Sequence, residues 1–156
     1  MAAHGVARST QDLDVLVLDP ACLSEAMWHP LTAAGATAEI RHGDDTDPLR
    51  GVVHLVGTTA LGMTALVDVI VGRSPWQTGV LQRATPQSID GVVVPVVTRG
   101  DVIVLKLFAG GPQDAWDVEQ LLAAGDRPAI VRHVESILPE LPPPARRLWA
   151  RIVRPR

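Results

Sequence analysis

Cysteine, lysine and aromatic residues are scarce in this chain. Cys22 is its single cysteine, so no internal disulfide can form, and a reducing, cytoplasmic setting is expected. Aromatics make up 3% of the 156 residues while apolar residues reach 47%, so Val, Leu, Ile and Ala must build the core. No apolar run is long enough to span a bilayer. The start, Met1 to Arg8, lacks the basic-then-apolar pattern of a secretory leader. There is no Walker loop, no Gly-x-Gly-x-x-Gly stretch and no Ser-His-Asp pattern. His29, His42, His54 and His133 show no metal-ligand spacing.

A net charge of −3 argues against a protein coated in phosphate-binding charge. The basic residues are nevertheless uneven. Lys106 is the sole lysine, while Arg146, Arg147, Arg151, Arg154 and Arg156 crowd the last eleven positions around Trp149. Such a tail either touches nucleic acid or is a solvated helix whose arginines complement the dipole of its own end.

Along the chain, 13–18 reads as a Val/Leu strand ended by Asp19-Pro20. Residues 21–34 read as a helix with Leu23, Met27 and Leu31 at four-residue spacing, stopped by Gly35. Strands are expected at 37–41, 52–56, 66–71 and 92–97, and a short helix after an N-cap at Ser74 with Pro75 first. Beyond Thr98 the pattern turns helical. Thr98 to Asp101 has capping-box spacing ahead of a helix at 102–109, and further helices are expected at 113–124, 128–138 and 145–153. The outline is an α/β (α+β) domain with a mixed sheet of about five strands. Residues 1–98 would form its core and 99–156 a helical C-terminal section of the same domain.

Three acid-x-acid pairs occur: Asp12/Asp14, Asp45/Asp47 and Asp117/Glu119. The second lies in a polar loop, and the third is on a helix, where such neighbours diverge. Only Asp12 and Asp14 open a strand, where they project from one face. Asp68 stands alone within Leu66-Val67-Asp68-Val69-Ile70, where an unpaired buried carboxylate would cost several kcal/mol. A metal, a basic partner or a sheet edge would each account for it. Carboxylates converging from neighbouring strands can hold two Mg²⁺ ions.

The stretch Gly5-Val6-Ala7-Arg8-Ser9-Thr10-Gln11-Asp12-Leu13-Asp14 resembles the G-x-x-R-x-T-x-D-hydrophobic-D signature of AbiEii-type nucleotidyltransferases, minimal members of the DNA polymerase beta superfamily. Lys106 to Val118 is similar to that family's K-x-x-A-x-R-x-K-D-x-x-D segment, and Asp68 falls where its third carboxylate strand is expected. The resemblance covers residues 4–124. It implies a polymerase-beta-like fold and transfer of a nucleoside monophosphate from an NTP to a hydroxyl of RNA, tRNA or protein. It also implies two Mg²⁺ ions held by Asp12, Asp14 and Asp68, with Asp68 helping to deprotonate the nucleophile. Lys106, Arg8 and Thr10 would face the nucleotide, with Asp114 and Asp117 in support. Several such proteins are toxins, so an antitoxin is an implied partner.

Read from the residues alone, Lys106 equally suits an ion pair stapling two helices through Asp114 and Asp117, and Arg8 a salt bridge to Asp12. Two departures favour the alternative of a catalytically degenerate domain that binds nucleotide or protein. The glycine-rich phosphate turn that precedes the first motif in the family is not in this chain, which leads us to expect an upstream extension encoding it. Gly111 and Gln113 stand where the family has basic residues.

Overall fold

The computed structural model describes residues 12–45, 47–58, 64–89 and 91–154. They belong to the expected α/β class. The elements are β1 (Asp12–Val17), α1 (Glu25–Ala33), β2 (Thr37–His42), β3 (Leu49–Thr58), β4 (Thr64–Gly72), α2 (Pro75–Gln82), β5 (Thr85–Ile89), β6 (Val92–Val96), α3 (Arg99–Ala109), α4 (Pro112–Ala123), α5 (Arg127–Ile137) and α6 (Pro143–Val153). Short 3-10 turns cover Pro20–Leu23 and Leu138–Glu140. The chain divides after Gly79 into two compact units, one built on the sheet and one mainly of helices.

In the sheet unit four strands run in the order β1-β4-β3-β2. β1 and β4 are parallel, and the other two pairings are antiparallel. One face is apolar because Val53, Leu55 and Val69 are buried and alternate with less buried neighbours that point to the other face. Val17, Val67, Ala38 and Ile40 complete that face, and Leu23 and Trp28 cover it. The helix expected over 21–34 is broken at Ser24, because Asp19 caps a 3-10 turn through the Ala21 N–H at 2.9 Å before α1 begins. Met27 and Leu31 consequently face outward, each 46% exposed, and Trp28 anchors α1 by donating its indole N–H to the Cys22 carbonyl at 2.8 Å. Gly35 stops α1 at a φ of +96°, which few other residues tolerate.

Gly51 of β3 packs where β2 and the 3-10 turn meet. A Cβ there would run into the Arg41 carbonyl oxygen and the Leu23 side chain. Gly51→Ala is therefore expected to cost about 2–3 kcal/mol by overpacking, measured as a lowered urea midpoint at unchanged m-value.

The expected five-stranded sheet is corrected to four. The strand at 92–97 pairs instead with β5 in a separate two-stranded hairpin. β5 (Thr-Pro-Gln-Ser-Ile) carries no apolar alternation and a proline, which hides it from periodicity. Helix α2 begins at Pro75 as expected, but its cap is reversed: the Gln77 side chain accepts from the Ser74 N–H at 2.8 Å.

In the helical unit α3 packs against α4, α5 and α6. Ile103, Val104 and Leu107 of α3 meet a core that includes Val118, Leu121, Val134, Leu148 and Trp149, all buried. Thr98 caps α3 by accepting from the Asp101 N–H at 3.2 Å, and Gly110 ends it in the left-handed region. No helix among the described residues is long and apolar enough to cross a membrane.

Candidate functional site

The parallel register of β1 and β4 puts Asp14 directly opposite Asp68. The antiparallel registers continue the line, with Asp68 opposite His54 and His54 opposite Glu39. Residues facing each other across a ladder share a face. Asp14, Asp68, His54 and Glu39 thus form one polar row across all four strands, on the face opposite the apolar core. Asp14 is exposed, and the Asp68 and His54 side chains are 36% and 35% exposed. Glu39 is turned along its own strand to Arg41, at 2.8 Å.

Asp68 has a basic partner. His54 Nδ1 lies 2.7 Å from Asp68 Oδ1, and a neutral imidazole protonated at Nδ1 donates there. β4 is an inner strand, so a sheet edge does not explain Asp68. The bond fixes one carboxylate oxygen and leaves Oδ2 outside it. Sequence reading passed over His54, although its signal matches that of Asp68: one polar residue inside Val52-Val53-His54-Leu55-Val56.

The other expected site residues are placed as follows. Asp12 opens β1 opposite Leu66, and its side chain lies outside the described residues, as do Arg8 and Thr10. Lys106 is in the helical unit. Its ammonium reaches Asp117 Oδ2 at 2.7 Å and Asp114 Oδ1 at 3.0 Å, tying α3 to α4. Asp117 is fully buried, and the lysine is 21% exposed. Burial works against the Lys106 charge, but hydrogen bonds to Asp117 and Asp114 and their charges outweigh it and hold its pKa above the ordinary value. The other Asp114 oxygen caps α4 by accepting from the Gly111 N–H at 2.8 Å. Trp149, which would serve as an aromatic contact in only one of the two readings of the arginine-rich end, is 3% exposed and belongs to the core.

A second polar centre was hidden by its capping role. Asp101, with no exposed surface, receives Arg83 Nη2 at 2.7 Å, the Thr98 hydroxyl at 2.7 Å and His133 Nε2 at 3.0 Å. Burial pushes its pKa up, but the bonds from Arg83, Thr98 and His133 and the Arg83 charge prevail and lower it. A lowered folded-state pKa contributes stability that is present above the unfolded value and lost as pH falls through the folded one. Acid unfolding of the helical unit is therefore expected to set in as pH drops below the ordinary Asp value of 3.8. Asp101→Asn should flatten that part of the pH–stability curve, followed by far-UV circular dichroism.

The metal expectation can be weighed on donor chemistry. Mg²⁺ takes hard oxygens and is commonly bound by one or two carboxylates, with water and substrate phosphates filling the remaining positions. Asp14 with Asp68 Oδ2 suits that pattern. No group of three or more His, Cys, Asp or Glu placed to hold a metal occurs among the described residues.

No protein-family model matches the chain, and no curated protein matches it. Among solved structures, a nucleotidyltransferase-like antigenic protein from Paracoccidioides brasiliensis is similar, with 15% identity and a TM-score of 0.40. The match covers 97% of this chain and 76% of that one.

Proposed function

We propose that this protein is a metal-dependent nucleotidyltransferase of the AbiEii type. The reading rests on one observation above the others: Asp14 and Asp68 stand side by side on parallel neighbouring strands, on a polar face carrying His54. Asp14 and Asp68, together with Asp12, would hold two Mg²⁺ ions, which would draw charge from the triphosphate and acidify the acceptor hydroxyl. The hydroxyl oxygen forms a bond to the α-phosphorus, the bond to the bridging oxygen breaks, and pyrophosphate leaves. Asp68 accepts the hydroxyl proton, and His54 keeps that carboxylate oriented. The roles of Arg8, Thr10 and Lys106 at the phosphates come from the sequence resemblance. The acceptor would be RNA, tRNA or protein, and a toxin role with a cognate antitoxin belongs to the same proposal.

A second reading is favoured by the side-chain pairing. Asp68 is already bonded by His54, and Lys106 already neutralised by Asp114 and Asp117. A domain so paired suits binding of nucleotide or a protein partner without chemistry. Calorimetric titration with Mg²⁺ and each NTP, beside an assay with labelled NTPs and mixed tRNA or protein, separates the two. Labelled product supports the transferase. Binding without product supports the degenerate domain, and no binding of any NTP overturns both nucleotide readings.

A further inference from the structure

In the sheet unit β4 leads into α2 through the turn Arg73-Ser74, between Gly72 and Pro75. The Gln77 side chain has no exposed surface, and its Oε1 sits at the start of α2, accepting from the Ser74 N–H at 2.8 Å. Gly72 makes room for that amide, since a Cβ there would run into Gln77 Oε1 and Leu18. Gln77 Nε2 and Arg73 Nε are both buried donors without a hydrogen-bond acceptor. Arg73 is half-buried, its Nη atoms reach the surface, and it makes no ion pair with a described residue. The acids that adjoin the turn are engaged elsewhere. Asp19, next to Leu18, and Asp47, two residues before Gly72's partner Leu49, each accept from a backbone N–H of their own turns.

We propose that the β4–α2 turn binds a phosphate group. Buried donors left without an acceptor are rare in native proteins, and each calls for a reason. Both orphans here are donors, so the group that completes them is an acceptor and not a cation. The Arg73 charge and the positive end of the α2 dipole select an anion over a water molecule. A guanidinium fork, an amide and the Ser74 hydroxyl ask for oxygens in several directions, which suits a tetrahedral phosphate better than a planar carboxylate. Arg73, with its Nη atoms at the surface, is the side chain that opens to admit the anion. Alternation along β4 puts Gly72 on the same face as Asp68, four residues and about 13 Å further on. The turn is therefore a phosphate position separate from a triphosphate held at Asp14 and Asp68, and it stands without the transfer reading.

The test is titration of the full chain with inorganic phosphate at fixed ionic strength, followed by heteronuclear NMR of the Arg73 Nε–H and Gln77 side-chain amide signals. Both are expected to shift and to saturate together. Arg73→Gln should weaken phosphate binding about tenfold, the effect of losing a charge-assisted hydrogen bond, and should melt with the parent in phosphate-free buffer. Phosphate should raise the melting temperature of the parent more than that of Arg73→Gln. Gln77→Glu keeps the oxygen that accepts from Ser74 but turns the donor into an anionic oxygen, so it should lose binding. Asp14→Asn should bind phosphate as the parent does, which separates this turn from the transfer site. AMP binding more tightly than inorganic phosphate supports the proposal with a nucleotide as the source, and equal binding supports it with phosphate alone. Signals that stay still in the parent, unchanged affinity in Arg73→Gln, or acetate binding as tightly as phosphate would each overturn it.

Discussion

Asp14→Asn is expected to lower nucleotidyl transfer by on the order of a thousandfold, the scale of losing one charged group that stabilises developing phosphate charge. The change removes one negative oxygen without altering volume. Because Asp14 is exposed on β1, the fold should be kept to within about 0.5 kcal/mol. Asp68→Asn should give a similar loss. His54→Ala should give a smaller one, about tenfold, with a higher Mg²⁺ concentration needed for half-maximal rate, because it only orients Asp68. The three variants are compared with labelled NTPs across a Mg²⁺ series. Transfer by Asp14→Asn at the parent rate would remove the metal role of that carboxylate.

The largest stability effect is expected at Lys106. Lys106→Met would leave the buried Asp117 carboxylate, and the mostly buried Asp114, without their cation. Removing one partner of a buried ion pair typically costs about 3 kcal/mol or more. For a chain of this size that lowers the melting temperature by roughly 6–12 °C. The variant Lys106→Met/Asp114→Asn/Asp117→Asn should recover much of the loss, since the cost lies in stranding charge rather than in losing attraction. The pH dependence has a definite sign. The folded-state pKa of Lys106 is raised, so its contribution is present below the ordinary value of 10.5 and is lost as pH climbs through the folded value. The parent should therefore destabilise at alkaline pH, and Lys106→Met should lack that component. A Lys106→Met protein that melts with the parent yet has lost transfer would instead assign the lysine to the phosphates.

Several features were legible in the residues themselves. Leu13 to Val17 and Leu66 to Val71 read as strands, because short runs dominated by β-branched residues and leucine, each with a single aspartate and bounded by turn residues, leave too little polar surface for a surface helix. Thr98 and Gly110 fixed both ends of α3 through local capping chemistry, which acts within a few residues and needs no tertiary partner. The oddness of Asp68 was also visible, since a charge inside an apolar run demands a partner wherever the strand goes.

Tertiary structure decided which partner that was. The His54–Asp68 bond depends on the register of β3 against β4 across a connection, and a slip of one residue would put His54 on the other face. The same holds for Asp101, whose local role as a helix-start residue concealed its links to Arg83 and His133, distant in sequence. Lys106 was poised in the sequence between two uses, and the packing of α3 on α4 put its ammonium between Asp114 and Asp117. Composition and periodicity report which groups cannot stay alone in an apolar setting. Only the fold brings together the strands and helices that supply their counterparts.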